Sequence, residues 1–160
     1  MKESIIEVKN LRNAWNAVRT KESAGGIDGT SVEEYGRNIG RNLERLHCAL
    51  VEGRWTPKPY VDLRIPKPDG GERTIGLSVV EDKIVQNAIK TMIGPLLERT
   101  FSSSSYAYRP GRGHQRCVRR VMAELSKNRN GWYFRGDIDD FFDSIDRERL
   151  FKRLRPLIRD

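Results

Sequence analysis

At 160 residues, 37% hydrophobic and 32% charged, the chain can bury one core or be a piece of something larger. No apolar run approaches the roughly 20 residues of a membrane-spanning helix, and no membrane partner is expected. A net charge of +8 favours polyanionic partners, nucleic acid first and an anionic membrane surface second, and charge alone does not choose between them. Two cysteines, Cys48 and Cys117, are too few for a disulfide framework, and the N-terminus lacks an apolar signal region; a reducing, cytoplasmic setting is expected.

In chain order, Ile5, Val8, Leu11, Trp15 and Val18 stand three and four apart and predict an amphipathic helix from residue 4 to about 20. The glycines of Ala24-Gly25-Gly26-Ile27-Asp28-Gly29 stop it, since adjacent glycines carry a high entropy cost in a helix interior. Ser31-Val32-Glu33-Glu34 reads as a capping box, and Val32, Tyr35, Ile39, Leu43, Leu46 and Leu50 continue a helical face as far as Gly53. From Trp55 the period changes. Pro57 and Pro59 exclude a helix, residues 60–65 alternate as a half-buried strand, residues 66–71 supply a Pro/Gly turn, and residues 72–77 return as its partner. Lys67 and Arg73 flank that hairpin tip, where they read first as ordinary exposed cations.

Ser78 can cap a long helix from 79 to about 99, with Val80, Ile84, Ala88, Ile89, Met92, Ile93 and Leu96 buried and a kink at Gly94-Pro95. The segment Tyr106-Ala107-Tyr108-Arg109-Pro110-Gly111-Arg112-Gly113-His114 is a shaped loop in which tyrosines alternate with arginines, stacking faces beside phosphate-binding forks. A helix from about 114 to 128 follows, with Cys117, Val118, Val121, Met122 and Leu125 inward. Arg112, Arg116, Arg119, Arg120, Lys127 and Arg129 face one acid, Glu124, an imbalance that leans towards a polyanion. Asn130-Gly131 marks a turn, and residues 132–138 read as an aromatic-rich strand anchored in the core and delivering Asp137 to a sheet's rim. Beyond 150 the chain is basic, with apolar positions still at helical spacing and no stop signal, as expected of a sequence cut within a fold.

The run from Asp137 to Asp146 is an acidic and aromatic island in a basic chain, and it suggests hard oxygen ligands for a cation that handles phosphates. Asp137, Asp139, Asp143 and Glu148 fall at positions one, three, seven and twelve of a calcium loop. Phe141 and Phe142 stand where an oxygen donor and the turn glycine belong, and that reading fails. His47 with Cys48, and His114 with Cys117, are poorly spaced for zinc and read better as buried thiols near unrelated histidines.

Five motifs in order, Gly26-Ile27-Asp28-Gly29, Trp55-Thr56-Pro57, the stretch from Ile65 to Arg73, Ser105 to Gly113, and Asp137 to Asp146, make the chain resemble bacterial reverse transcriptases of the group II intron (retron-type) family. The resemblance implies an α+β fold: a helical N-terminal part, an antiparallel fingers hairpin, helices, and the first palm strand of an incomplete right-hand polymerase. Residues 1–136 would be N-terminal extension and fingers, and 137–160 the start of the palm. It implies that Asp137 is the first catalytic, metal-binding aspartate, with a main-chain carbonyl near Ile138 as a second ligand to Mg²⁺ (or Mn²⁺), two ions serving the complete enzyme. Lys67 and Arg73 would hold the triphosphate of the incoming dNTP, which reverses the bland view of them. Phe141 or Phe142, with Phe142 favoured, would gate the sugar, and Arg109 would line the nucleotide and template path. Tyr106, Tyr108, Arg112, Arg116, Arg119 and Arg120 are the nucleic-acid-binding candidates.

The family's core also needs an Asp-Asp pair on a later hairpin, and none follows Asp146. The expectation is therefore an N-terminal fragment of an RNA-directed DNA polymerase or maturase, inactive alone. Its partners would be RNA template, DNA primer, dNTP and intron RNA, and self-association through an incomplete palm is expected. The alternative is a non-catalytic RNA-binding module.

Overall fold

A computed structural model describes residues 2–21, 25–66, 68, 70–127 and 132–158. The chain forms two compact units that part between Gly94 and Pro95.

The first unit is helical with one small sheet. Its opening helix is broken in two, α1 (Lys2–Ile6) and α2 (Val8–Arg19), because Glu7 takes an extended backbone, φ −54° and ψ 134°. The predicted stripe does reach the core: Leu11, Trp15 and Val18 are buried, with Ala14 between them. Asn10 is buried as well, its amide donating to the Ile5 carbonyl at 2.9 Å and to the Ala88 carbonyl at 3.3 Å. The Ser31 hydroxyl accepts the Glu34 amide at 3.0 Å and starts α3 (Val32–Arg37), so the forward half of the capping box is present. Asn38 leaves helical geometry, and α4 (Ile39–Val51) resumes the same apolar face. Gly53, at φ +68°, then turns the chain out of the helix.

Strands β1 (Val61–Pro66) and β2 (Glu72–Leu77) pair antiparallel, with Val61 opposite Leu77 and Pro66 opposite Glu72. The alternation predicted a half-buried ribbon, yet almost every residue of both strands is exposed, Leu63 to 44%. Alternation fixes which side chains share a face; burial also requires an element to cover that face. Tyr60 lies against the bare backbone of Gly76, where an added Cβ would be 3.2 Å from the ring.

The core joins α2, α3, α4 and the start of α5 (Val80–Glu98). Leu11, Leu43, Leu46 and Ile84 are fully enclosed, and the Trp15 and Tyr35 rings meet at 5.6 Å. Each such side chain contributes on the order of 1.5–3 kcal/mol on burial. The Ser78 hydroxyl, a predicted cap, instead accepts from Gln86 Nε2 at 3.5 Å.

The second unit comprises the end of α5, a long loop, α6 (His114–Lys127), an irregular stretch and α7 (Arg147–Ile158). Among its described residues only Arg109 is buried. Two expectations fail here. The predicted inward face of α6 is exposed, Val118 to 56% and Met122 to 59%. Residues 132–138 form no strand, and Trp132, Tyr133 and Phe134 are exposed. A strand needs a partner for its amides and carbonyls, and among the described residues the two strands present pair only with each other. Cys48, expected as a buried thiol, is also exposed.

Candidate nucleic-acid interface

The loop after α5 is assembled on the Arg109 guanidinium. Its Nε donates to both Glu98 carboxylate oxygens at 3.1 Å, and Nη2 donates to Oε1 at 2.7 Å. Nη1 donates to the carbonyls of Ser102 at 2.6 Å and Ser105 at 2.9 Å, and the group lies 5.2 Å from the Phe101 ring centre. A planar five-donor fork can gather acceptors from three directions, which a lysine cannot. The pairing holds the Glu98 carboxyl below its usual pKa, chiefly through the hydrogen bonds from Arg109. Arg109 was expected to line the nucleotide path; its side chain is 6% exposed and engaged throughout with this loop.

Arg112 braces the same loop from outside, donating to the carbonyls of Ser103 at 2.7 Å and Ser105 at 3.3 Å, and lying 5.8 Å from the Tyr106 ring centre. Arg116 donates to the Gly111 carbonyl at 2.8 Å. Arg120 pairs with Glu124 at 3.2 Å, and Lys127 reaches the same carboxylate at 3.8 Å. Arg119 has no carboxylate partner among the described residues. Arg112, Arg116 and Arg119 line one open groove of about 500 Å³ with Gly111, Gly113, His114 and Gln115. So three of the candidate arginines converge on one groove at the start of α6, while Arg120 is neutralised beside it. Tyr106 is covered by Arg112, and Tyr108 is wholly exposed.

The acidic run is a turn and a helix cap. Asp137 Oδ1 accepts the Ile138 amide at 3.0 Å, and Asp140 has φ +44°. Asp146 Oδ1 accepts the Arg149 amide at 3.1 Å at the start of α7, where its charge also favours the helix dipole. The Phe141 and Phe142 rings meet edge to face at 5.3 Å, with Phe142 80% exposed. Among the described residues no three His, Cys, Asp or Glu side chains come together as a metal site.

On the hairpin of the first unit, Arg73 lies opposite Ile65 and is exposed, with no carboxylate partner among the described residues. Lys67 lies outside the described residues. The hairpin's base is held by groups that motif reading missed. Asp82, buried on α5, accepts the Lys58 amide at 2.9 Å, and Lys58 Nζ reaches Asp28 at 3.4 Å. The sequence did carry a signal: between Pro57 and Pro59, Lys58 has the one amide, and it needs an acceptor.

Comparison with known proteins bears on the family. Residues 65–158 match the model of the reverse transcriptase (RNA-dependent DNA polymerase) family. Protein YkfC of Escherichia coli is 30% identical over 84% of the chain, and the group II intron-encoded protein LtrA of Lactococcus lactis is 26% identical over 74%. Nuclear intron maturase 1 of Arabidopsis thaliana is 25% identical over 77%. The matches span 36%, 20% and 20% of those relatives' own lengths. The chain belongs to the reverse transcriptase family, and within it to the group II intron type.

Proposed function

We propose that the chain supplies the fingers and the first palm segment of an RNA-directed DNA polymerase, and that its own activity is to bind single-stranded RNA. The observation that carries this is the groove at the start of α6, where Arg112, Arg116 and Arg119 converge. Guanidinium groups, one of them against the Tyr106 ring, in a loop that also carries the exposed Tyr108, suit a phosphate backbone with unpaired bases. Arg73, exposed on β2, is assigned to the triphosphate of an incoming nucleotide, and Phe142 to the nucleotide's sugar. The palm begins at Asp137 in this assignment.

The family depends on divalent metal. The described residues do not form a complete protein metal site, because no three carboxylate, imidazole or thiol groups gather around Asp137 or elsewhere among them. Asp137 is assigned one share of that site, and polymerisation to a longer protein of the kind its relatives represent.

The test is RNA binding by the 160-residue chain across a salt series. Binding to single-stranded RNA should weaken linearly on logarithmic axes, by about 0.7 per phosphate contact. Arg119→Gln, which breaks no ion pair among the described residues, should flatten the slope by about 0.7. Primer extension by the chain alone should be absent. Salt-independent binding, or an unchanged slope in the variant, would overturn the assignment of the groove.

A further inference from the structure

Tyr108 combines two features that are each uncommon. Its backbone is left-handed, φ +57°, a region that aromatic residues avoid, and its side chain is fully exposed. An exposed tyrosine gains nothing in stability from that position, so the conformation must be imposed by its surroundings. The next residue imposes it: Arg109 is clamped by Glu98 and by the carbonyls of Ser102 and Ser105. Beyond it, Gly111 is also left-handed, and Arg112 ties the loop back to Ser103. The loop is thus fixed at both ends of the strained residue, and the ring is held clear of the fold. Tyr106, two residues earlier, has its ring beside the Arg112 guanidinium instead.

We propose that Tyr108 is a stacking platform for one unpaired base of single-stranded RNA, with Arg109 as the buried positioning residue that presents it. This rests on the RNA-binding reading above and sharpens it: the arginines of the α6 groove take phosphates, and the tyrosine takes a base. A flat ring open to solvent on both faces, carried on a loop backbone already fixed by Arg109 and Arg112, offers a surface to any base, and that backbone needs no further ordering at binding. Duplex RNA, with its bases already stacked, has nothing to place there.

The experiment compares three probes on the full 160-residue chain: oligoadenylate, an abasic ribose-phosphate strand of equal length, and blunt RNA duplex. Wild type should prefer oligoadenylate over the abasic strand by about five-fold or more. Tyr108→Leu should erase that preference while leaving abasic and duplex affinities in place, and Tyr108→Phe should restore it. Tyr108→Gly, which the left-handed backbone accepts without strain, should erase the preference in a protein that melts no lower than wild type. Arg109→Lys should lower the base preference without changing the salt slope, since the group it removes touches no phosphate. Equal binding of base-bearing and abasic strands by wild type, or a preference that survives Tyr108→Leu, overturns the stacking role and leaves the arginine groove standing. Failure to bind any of the probes overturns both.

Discussion

Gly26 occupies a place with no room for a side chain. A Cβ there would lie 2.5 Å from the Val79 amide nitrogen and 2.8 Å from the Ser78 carbonyl carbon. Both neighbours are main chain at the entrance to α5, so neither can rotate away. Three residues on, the Gly29 amide closes a turn onto the Gly26 carbonyl at 3.0 Å, and Asp28 accepts the Thr30 amide at 3.2 Å. The loop is thus pressed onto the start of α5 backbone to backbone. Gly26→Ala should cost about 3 kcal/mol or more, the upper end of overpacking penalties, because the contact cannot be relieved by a rotamer change. Gly29→Ala meets no atom within 4 Å and is strained only by its φ of +68°; about 1 kcal/mol is expected. Urea unfolding of the two variants measures the difference. Equal losses would show that Gly26 is held by its conformation and not by the close approach.

Between elements, the same economy of contact governs how β1 is set after the proline segment. Asp82 sits on the buried side of α5 among Val80, Ile84 and Val85 and accepts the Lys58 amide. Burial raises its pKa above 3.8, outweighing the hydrogen bond and charge of Lys58. The folded chain therefore binds this proton at a higher pH than the unfolded chain does. Through this residue, stability falls as pH rises from about the unfolded value through the raised one, and is level above it. Asp82→Asn keeps an oxygen for Lys58 and removes the charge, so it should match or exceed wild type at neutral pH and lose that slope. Asp82→Ala leaves the amide unmet and should cost about 1–3 kcal/mol. Glu98 acts in the opposite sense: its lowered pKa gives stability present above 4.5 and lost as pH falls below that. The wild-type minus Asp82→Asn difference curve isolates Asp82 from it. A flat difference curve would mean that the Asp82 carboxylate is as well solvated in the fold as in the unfolded chain.

Across the molecule, helical periodicity disclosed the first unit's core because Leu11, Trp15, Leu43 and Ile84 face one another there. The same periodicity on α6 marked an apolar face that stays exposed, since a pattern names a face and not what covers it. Arg109 escaped for a related reason: nothing in its local sequence separates a guanidinium bound for a phosphate from one bound for Glu98 and two carbonyls of the loop backbone. The acidic run reads as hard oxygen ligands, yet Asp146 caps α7, and the metal role expected of Asp137 rests on the family resemblance. That difference makes a prediction. Magnesium held by protein oxygens alone needs several hard donors within reach of one point, and among the described residues no three carboxylates or imidazoles converge. The 160-residue chain should bind Mg²⁺ with a dissociation constant of about 1 mM or weaker, without fixed stoichiometry. Asp137→Asn should leave that titration unchanged, because an exposed carboxylate outside any three-ligand cluster adds little to the ion's hydration shell. Calorimetric titration settles it: stoichiometric binding in the micromolar range that is lost in Asp137→Asn would show that the acids from Asp137 to Asp146 gather into a complete site of their own.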